Sequence, residues 1–244
     1  MNQTSKDVVL KEFYAWPDKW WVRAMMVQSL DGAHAGPDGK SRSISSERDR
    51  EVLQETRRLS DVVLVGAETI RIERYRPMVA KAQWQDARAN AGLAPAPVVA
   101  IVSASLDLPW EEPLFGESEV TPLVFTGGTA SVERTAIARE MVAAGKVEII
   151  ECSDLPVGAL DVLRERGFIR IVCEGGPNLL ATLNPHVDEL DLTIAPMLVG
   201  RESPGPIESV SESESKSVVG ELIDWKLSGY WEHEGFVFTR YVRA

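Results

Sequence analysis

The sequence predicts an α/β protein with a mixed, mainly parallel sheet flanked by helices and an antiparallel hairpin at its C-terminal end. Short apolar, β-branched runs alternate with amphipathic segments along most of the chain, which is typical of a parallel sheet covered on both faces. Several of these runs end in glycine-bearing loops. The last two runs, 225–231 and 236–241, enclose the short turn 232–235 and predict the hairpin.

Size and composition are those of one large globular domain. The chain has 244 residues, of which 44% are hydrophobic and 26% charged, so it can bury a full core. We divide it into an N-terminal arm, residues 1–19, and a domain, residues 20–244. No apolar run approaches the length of a membrane span, and the start lacks the features of a secretory signal. We therefore expect a cytoplasmic protein with no membrane partner.

Charge and cysteine content exclude further classes of function. The formal net charge of −11 argues against binding nucleic acid through a general basic surface. An anionic ligand would need a local basic pocket. Cys152 and Cys173 lie at or near the ends of predicted strands. They indicate buried thiols rather than a disulfide framework or a cysteine-based metal site, and we predict no metal.

Periodicity and turn residues place the elements in chain order. Buried runs predict seven strands before the hairpin, at 20–28, 61–66, 98–102, 122–126, 147–150, 168–173 and 190–195. A helix starts after Ser46, with Glu47 and Asp49 in its first turn. Further helices are predicted at 67–74, 131–144 and 156–166, the last two each followed by glycine. Segment 76–97 is predicted as a long loop with a possible helical turn at 84–91, and 201–217 as an exposed, mobile loop.

The stretch 168–180 combines a buried strand, a glycine turn and a helix start. Gly175 and Gly176 allow a sharp turn with no Cβ to block a ligand, and Pro177 suits the first turn of a helix. Backbone N–H groups at that helix start could hold a phosphate. From the glycines alone, a tight turn without a ligand is an equal alternative. In a parallel sheet this loop and those after Met26, Val65 and Phe125 reach one edge, which predicts a cleft.

Four motifs occur in the order found in the riboflavin-pathway pyrimidine reductases, which share the dihydrofolate reductase fold. They are Ser29-Leu-Asp-Gly32, Gly66-Ala-Glu-Thr-Ile-Arg71, Glu174-Gly-Gly-Pro177, and Val187-Asp-Glu-Leu190 with Ile194-Ala-Pro-Met-Leu-Val-Gly200. The resemblance runs from about Trp20 to Tyr241. It implies NADPH-dependent reduction of 5-amino-6-(5-phosphoribosylamino)uracil, a phosphorylated pyrimidine, to the ribitylamino product. It also implies a homodimer.

The resemblance implies a cofactor site on two loops. Gly66 and the helix bearing Thr69 resemble the turn that meets the adenosine phosphate, with Arg71 as the cation that favours NADPH. Alternatively, Thr69 caps or packs, and Arg71 is solvated. Ser103 is a candidate for the adenosine side. The residues that resemble the pyrophosphate loop are Gly175, Gly176, Pro177, Asn178 and Leu179.

On the substrate side, Ser41, Arg57 and Glu174 align with positions that contact the phosphorylated pyrimidine in related reductases. A guanidinium at Arg57 can bind a phosphate bidentately, or it can be an exposed helix arginine. Glu174 is the catalytic candidate, because it could bond the pyrimidine or assist protonation; capping the turn is the alternative. Asp31 is a further candidate, although a turn role is favoured because Asp-Gly is a strong turn pair. Water, Glu174, Glu73 or the substrate phosphate could supply the proton.

This chain departs from the family pattern at two places near the expected site. Glu73-Arg-Tyr-Arg-Pro77 stands where many members have an aspartate pair followed by proline, and Ser43 replaces a common tryptophan. The zinc deaminase signature of bifunctional members is absent from the sequence, which implies a stand-alone reductase. Two alternatives stay open. One is a reductase of a pterin or another heterocycle on the same fold, and the other is a non-catalytic nucleotide-binding protein.

Overall fold

The computed structural model describes residues 9–79, 81–200 and 223–244. The predicted mobile loop at 201–217 lies outside the described residues, as do the first eight residues of the arm. The strands are β1 Trp21–Gln28, β2 Val62–Gly66, β3 Val98–Val102, β4 Leu123–Thr126, β5 Glu148–Glu151, β6 Arg170–Cys173, β7 Glu189–Ile194, β8 Trp225–His233 and β9 Phe236–Arg243. The α-helices are α1 Leu10–Phe13, α2 Glu47–Arg58, α3 Ala67–Glu73, α4 Ala82–Asn90, α5 Leu114–Glu117, α6 Val132–Ala143, α7 Val157–Glu165 and α8 Pro177–Leu183.

Across the described ranges these strands form one sheet in the order β5-β4-β3-β2-β6-β1-β7-β9-β8. Neighbours from β5 to β7 pair in parallel, whereas β9 runs antiparallel to both β7 and β8. The predicted mainly parallel sheet with a C-terminal hairpin is therefore confirmed. Because the parallel strands end at one edge, the loops that follow them can form a common site there.

The continuous apolar runs form the centre of the sheet. Val62, Val63, Leu64 and Val65 of β2 are fully buried, because helices and loops cover both faces of the strand. On β7, burial alternates from residue to residue. Leu64 and Cys173 belong to one core cluster, and Val65 to a second that includes Phe115. Both cysteines are buried free thiols, as predicted, and burial raises the pKa of Cys173 to about 12.

Capping residues set the helix ends that the sequence predicts. The Ser46 hydroxyl accepts a hydrogen bond from the Asp49 N–H at 3.0 Å and starts α2. Ser131 caps α6 in the same way, through the Arg134 N–H. Gly145 follows α6 with a φ of 67°, a conformation that glycine adopts at little cost. Local hydrogen bonding therefore explains why these boundaries can be predicted.

Helix α4 is longer than the helical turn that the sequence predicts inside a long loop. Its nine residues show little amphipathic periodicity, yet Trp84 and Arg88 are buried. The Arg88 guanidinium donates to the backbone carbonyl groups of Arg58, Ser60 and Ala94. Contacts with distant backbone, which no sequence pattern shows, stabilise the helix. The short helix α5 was also not predicted.

The described part of the N-terminal arm packs against the sheet. Tyr14 is 3% exposed, and the Arg23 guanidinium donates to the carbonyl groups of Tyr14 and Ala15. Trp16 donates through Nε1 to the carbonyl of Thr56 at the end of α2, at 3.0 Å. The arm therefore bridges the sheet and helix α2. Among the described helices, none is long and apolar enough to cross a membrane.

Beneath the arm lies a buried ionic cluster on β1, β7 and β9. Arg23 and Glu189 are fully buried, and their Nε and Oε1 atoms lie 3.0 Å apart. Arg240 donates to Glu189 at 2.6 Å, and the Trp21 indole donates to it at 2.7 Å. Asp191 lies 3.4 Å from Arg23. Burial raises the pKa of Asp191 well above its ordinary value, so its carboxyl group favours the neutral form.

Candidate active site

A cavity of about 1120 Å³ opens at the carboxyl edge of the sheet. Residues from the loops after β1, β2 and β6 line it, among them His34, Gly66 and Gly176. The predicted convergence is therefore correct for three of the four glycine-bearing loops. The fourth loop does not contribute to this lining, and its Gly128 lines a separate cavity of about 460 Å³. That loop follows β4, one strand further toward the edge of the sheet than β3.

The cavity floor is backbone where the loops after β2 and β6 cross. The Gly66 N–H donates to the Gly175 carbonyl at 2.8 Å. Gly175 has a φ of 83°, and its peptide bond to Gly176 is cis. A Cβ added to Gly176 would lie 2.9 Å from the Thr69 hydroxyl, closer than such atoms approach. The glycines predicted as a cofactor turn therefore meet at this crossing, which leaves no room for a Cβ at Gly176.

The structure brings together the residues predicted to bind a cofactor. Gly175 is not part of the cavity lining but accepts a hydrogen bond from Gly66, which is. The other predicted cofactor residues all line the cavity: Gly66, Thr69, Arg71, Ser103, Gly176, Pro177, Asn178 and Leu179. Ser103 is 3% exposed, and its buried hydroxyl has no hydrogen-bond partner among the described residues. A buried hydroxyl without a partner is costly, so a polar ligand would stabilise this end of the cavity. The chemistry and the shape of the lining both fit a nucleotide.

Arg71 has contacts beyond those expected of a solvated side chain. Its Nη1 donates to the Asp107 carbonyl at 2.6 Å and lies 3.5 Å from the Asp107 carboxylate. Arg134 pairs with the same carboxylate at 3.0 Å. These groups are all partly exposed, so water weakens the pairs. Arg71 can exchange this partner for a phosphate at modest cost.

Arg57 and Glu174 meet in the cavity wall as a bidentate ion pair. The Arg57 Nε donates to Glu174 Oε1 at 2.5 Å, and Nη2 donates to Oε2. Their side chains are 14% and 4% exposed, respectively. Burial acts to lower the pKa of Arg57, but Glu174 outweighs this effect and raises it. Arg57 therefore stays charged and uses its parallel N–H groups on Glu174.

Tyr75 completes this pair and was missed by the sequence analysis. Its hydroxyl donates to Glu174 Oε2 at 2.7 Å, and the Arg57 guanidinium lies 5.6 Å from the centre of its ring. Burial raises the pKa of the Tyr75 phenol well above its ordinary value, and Glu174 adds to this effect. Tyr75 therefore keeps its proton and acts as a donor. The sequence signal that could have identified Tyr75 was its position in segment 73–77, where the chain departs from the family pattern.

The remaining predicted substrate residues occupy two different places. Ser41 and Glu73 both line the cavity, and the Ser41 N–H donates to Glu73 Oε1 at 2.8 Å. Asp31 is not part of that lining. Its carboxylate accepts hydrogen bonds from the Ser29 hydroxyl and from the N–H groups of Val199 and Gly200, which lower its pKa to about 2. These contacts match the turn role that the sequence favoured for Asp31.

Several cationic side chains make the cavity a local basic pocket in an acidic protein. Arg42, Arg50 and Arg76 line it and form no ion pair with any residue in the described ranges. Lys81 donates to the Gln54 side chain; burial and the nearby charge of Arg57 lower its pKa. Sequence analysis did not select these residues, because charges on different loops give no local pattern. They are available to an anionic ligand.

A covered, mainly parallel sheet with a glycine-floored basic cavity at its carboxyl edge defines an α/β enzyme that works on anionic ligands above that edge. A family model described as the RibD C-terminal domain matches residues 20–231. The chain belongs to this family, the riboflavin-pathway pyrimidine reductases that its four motifs resemble.

Curated relatives and a solved structure agree with this assignment. The chain is 28% identical over 189 residues to a 2,5-diamino-6-ribosylamino-4(3H)-pyrimidinone 5′-phosphate reductase of Archaeoglobus fulgidus, covering 75% of this chain and 84% of that protein. It is 29% identical over 202 residues to the riboflavin biosynthesis protein PYRR, chloroplastic, of Arabidopsis thaliana, covering 80% of this chain and 31% of that protein.

The solved structure is that of a pyrimidine reductase-like protein of Corynebacterium diphtheriae. It superposes with a TM-score of 0.85 at 26% identity, covering 97% of this chain and 99% of the other. The predicted fold class, a mixed, mainly parallel sheet with helices and a C-terminal antiparallel hairpin, is confirmed. The named relatives are reductases, so the chemistry of the family is oxidoreduction.

Proposed function

We propose that this protein reduces 5-amino-6-(5-phosphoribosylamino)uracil to its ribitylamino product with NADPH. The observation that carries the proposal is a single cavity that joins the glycine floor, the buried Ser103 hydroxyl and a set of cations that form no ion pair within the described part of the chain. A dinucleotide and a phosphorylated substrate together need such a combination of backbone surface and positive charge. The names of the relatives, which are pyrimidine reductases, support the choice of substrate.

In this proposal the cofactor lies across the backbone floor. Gly66, Gly175 and Gly176 let its diphosphate approach the main chain, and Ser103 and Arg71 bind at the adenosine end. When bound, NADPH supplies the hydride. The preference for NADPH over NADH rests on Arg71, because a guanidinium that holds its present acidic partner only weakly can bind a 2′-phosphate.

The substrate lies on the side of the cavity that Ser41, Arg57, Glu73 and Glu174 line. Reduction breaks the bond between C1′ and the ring oxygen of the ribose and forms a C1′–H bond, and the ring oxygen takes up a proton. Arg57 and Glu174 orient the ribosylamino group. Glu73, which accepts a hydrogen bond from the Ser41 N–H, is one of the acidic side chains of the lining, with Asp49 and Glu68, that do not pair with Arg57. We assign delivery of the proton to Glu73 or to water.

In this scheme the substrate phosphate binds cationic side chains of the cavity lining other than Arg57. The parallel N–H groups of Arg57 are directed at Glu174, so the phosphate finds stronger partners in Arg42, Arg50, Arg76 and Lys81. The predicted bidentate role of Arg57 toward phosphate is thereby replaced, in our proposal, by contacts of its remaining N–H groups with the sugar or the base.

A second candidate substrate is the 2,5-diamino-pyrimidinone analogue, which carries an amino group where the uracil has a carbonyl. The name of the Archaeoglobus relative, a 2,5-diamino-6-ribosylamino-4(3H)-pyrimidinone 5′-phosphate reductase, favours this analogue. The test is to measure NADPH oxidation by purified protein with each compound. We expect kcat/KM to be at least tenfold higher for the uracil. The reverse preference would establish the analogue as substrate, and no oxidation with either would refute the proposed function.

We propose that the protein works in the cytoplasm as a homodimer, as the family resemblance implies. The arm and the hairpin are the candidate interface elements. Tyr230 and Leu227 on β8 are exposed apolar side chains of the kind that interfaces bury. Sedimentation equilibrium is expected to give twice the chain mass of 26.9 kDa, and a monomer at micromolar concentration would contradict the dimer.

A further inference from the structure

We propose that Tyr75 is a positioning residue of this reductase, which holds the Glu174 carboxylate so that a single acceptor position remains open to the substrate. The inference rests on the proposed function and adds to it a residue that sets the orientation of the pyrimidine nucleotide. It comes from the contacts of Tyr75, a residue in the segment where the chain departs from the family pattern.

The hydrogen bonds of Glu174 can be counted atom by atom. A carboxylate has about four acceptor positions, two on each oxygen. Arg57 Nε occupies one on Oε1, while Arg57 Nη2 and the Tyr75 hydroxyl occupy both on Oε2. With respect to residues 9–79, 81–200 and 223–244, the one position left is on Oε1. Since the Glu174 side chain is only 4% exposed, that position can accept one donor from a ligand in the cavity.

The backbone brings Tyr75 to this place. Arg74 ends helix α3 in the left-handed conformation, with a φ of 53°, which turns the chain sharply toward the cavity. The Arg74 guanidinium, which is largely exposed, pairs with Glu112 and contributes little to holding the segment. The Tyr75 ring packs against the core cluster that contains Phe115. The backbone turn and the packing of the ring therefore hold Tyr75 beside Glu174.

The bonds of Arg57 and Tyr75 to Glu174 limit the direction from which the substrate can bind this carboxylate. A donor N–H or O–H of the ribosylamino group can meet Oε1 from one side only, because the phenol and the guanidinium close the others. Without the phenol, the carboxylate loses one of the three hydrogen bonds that hold it and can turn, so its open position on Oε1 no longer stays where it meets the substrate. Tyr75 therefore acts through Glu174 and needs no contact with the reacting atoms.

The test is Tyr75→Phe, which removes only the hydroxyl. We expect KM for the pyrimidine nucleotide to rise about tenfold, kcat to change less than about threefold, and the Kd of NADPH to stay within about twofold, since one hydrogen bond to a charged group is lost. Tyr241→Phe on β9 is the matched control and should leave all three values unchanged. Thermal unfolding of both variants establishes that each is folded.

A second measurement separates positioning from general structural support. If Tyr75 acts through Glu174, the double variant Tyr75→Phe/Glu174→Gln should be no worse in kcat/KM than Glu174→Gln alone. Fully additive losses, or an equal rise in the NADPH Kd, would overturn the inference while leaving the proposed function intact. If the unmodified protein does not turn over the pyrimidine nucleotide, the proposed function fails first and the inference fails with it.

Discussion

Arg57 and Glu174 form a charge pair in a cavity lining that has more cationic than acidic side chains. Their buried, bidentate contact holds the Glu174 carboxylate among these cations. Glu174 therefore lowers the net positive charge of the substrate side and occupies two N–H donors of Arg57. A guanidinium has five N–H donors, of which Glu174 takes two, so Arg57 still offers several to a ligand.

Replacing Arg57 by Ala is expected to weaken binding of the pyrimidine nucleotide by at least tenfold and to leave NADPH affinity within about twofold. The change leaves Glu174 buried with the Tyr75 hydroxyl as its remaining side-chain partner among the described residues, so the free energy of unfolding should also fall by about 3 kcal/mol. Calorimetric titration with each ligand and urea unfolding are the measurements.

Arg58→Ala is the matched control for this variant. Arg58 neighbours Arg57 in the same helix but pairs with Glu55 near the surface, where an ion pair contributes about 1 kcal/mol or less. It should bind both ligands normally. An equal loss of pyrimidine and NADPH affinity in Arg57→Ala would refute the substrate assignment of Arg57.

At the scale of elements, the crossing of the β2 and β6 loops determines the floor of the site. The Gly66–Gly175 hydrogen bond joins the two loops, and the close approach of Gly176 to Thr69 excludes a Cβ. The floor is therefore formed by backbone at glycine positions, where no side chain intervenes, and not by a specific functional group. Substitutions at this crossing should affect the cofactor before they affect the substrate.

Gly176→Ala is expected to raise the KM for NADPH about tenfold and to lower the free energy of unfolding by about 1–3 kcal/mol, because the new Cβ overlaps the Thr69 hydroxyl. Steady-state kinetics and urea unfolding measure the two effects. Gly116→Ala is the control, since no atom lies within 4 Å of its added Cβ. Adding Thr69→Ala should restore most of the lost stability; no recovery would contradict the proposed clash.

Helices whose ends are set by hydrogen bonds between residues close in sequence were predictable. Those that depend on contacts between residues far apart in sequence were not. Ser46 and Ser131 bond to backbone three residues away, so the starts of α2 and α6 can be inferred from short patterns. Helix α4 depends on Arg88 and its bonds to residues up to thirty positions away, which have no sequence signature. In the site, the glycines and Glu174 belong to motifs, whereas Tyr75 contacts Glu174 across 99 residues.

For the whole molecule, the buried ionic cluster connects the arm, the central strands and the C-terminal hairpin. Glu189 on β7 pairs with both Arg23 on β1 and Arg240 on β9, and both arginines also donate to backbone carbonyl groups of the arm. Breaking such a cluster at one member leaves an uncompensated buried charge. Its contribution is therefore best measured by removing the shared carboxylate.

Glu189→Ala is expected to lower the free energy of unfolding by about 3 kcal/mol, at the low end for a broken buried pair. The loss is limited because the charge of Glu189 helps to raise the pKa of Asp191, so in the variant Asp191 can ionise 3.4 Å from Arg23. Urea unfolding provides the measurement. Glu55→Ala, which removes the partly exposed partner of Arg58, should cost less than about 1 kcal/mol. Equal losses of unfolding free energy in the two variants would show that the buried cluster stabilises the protein no more than a partly exposed ion pair does.

The strand order has a consequence for how the molecule is made. Strands β2 to β5 each lie beside the strand that precedes or follows them, so they can pair as the chain leaves the ribosome. β1, although synthesised first, lies between β6 and β7, and must wait for more than a hundred further residues. Until then β2 has an open edge. The nascent chain therefore exposes the hydrogen-bonding edge of β2 until β6 is made and pairs with it, and a chaperone that shields that edge should raise the yield of active enzyme.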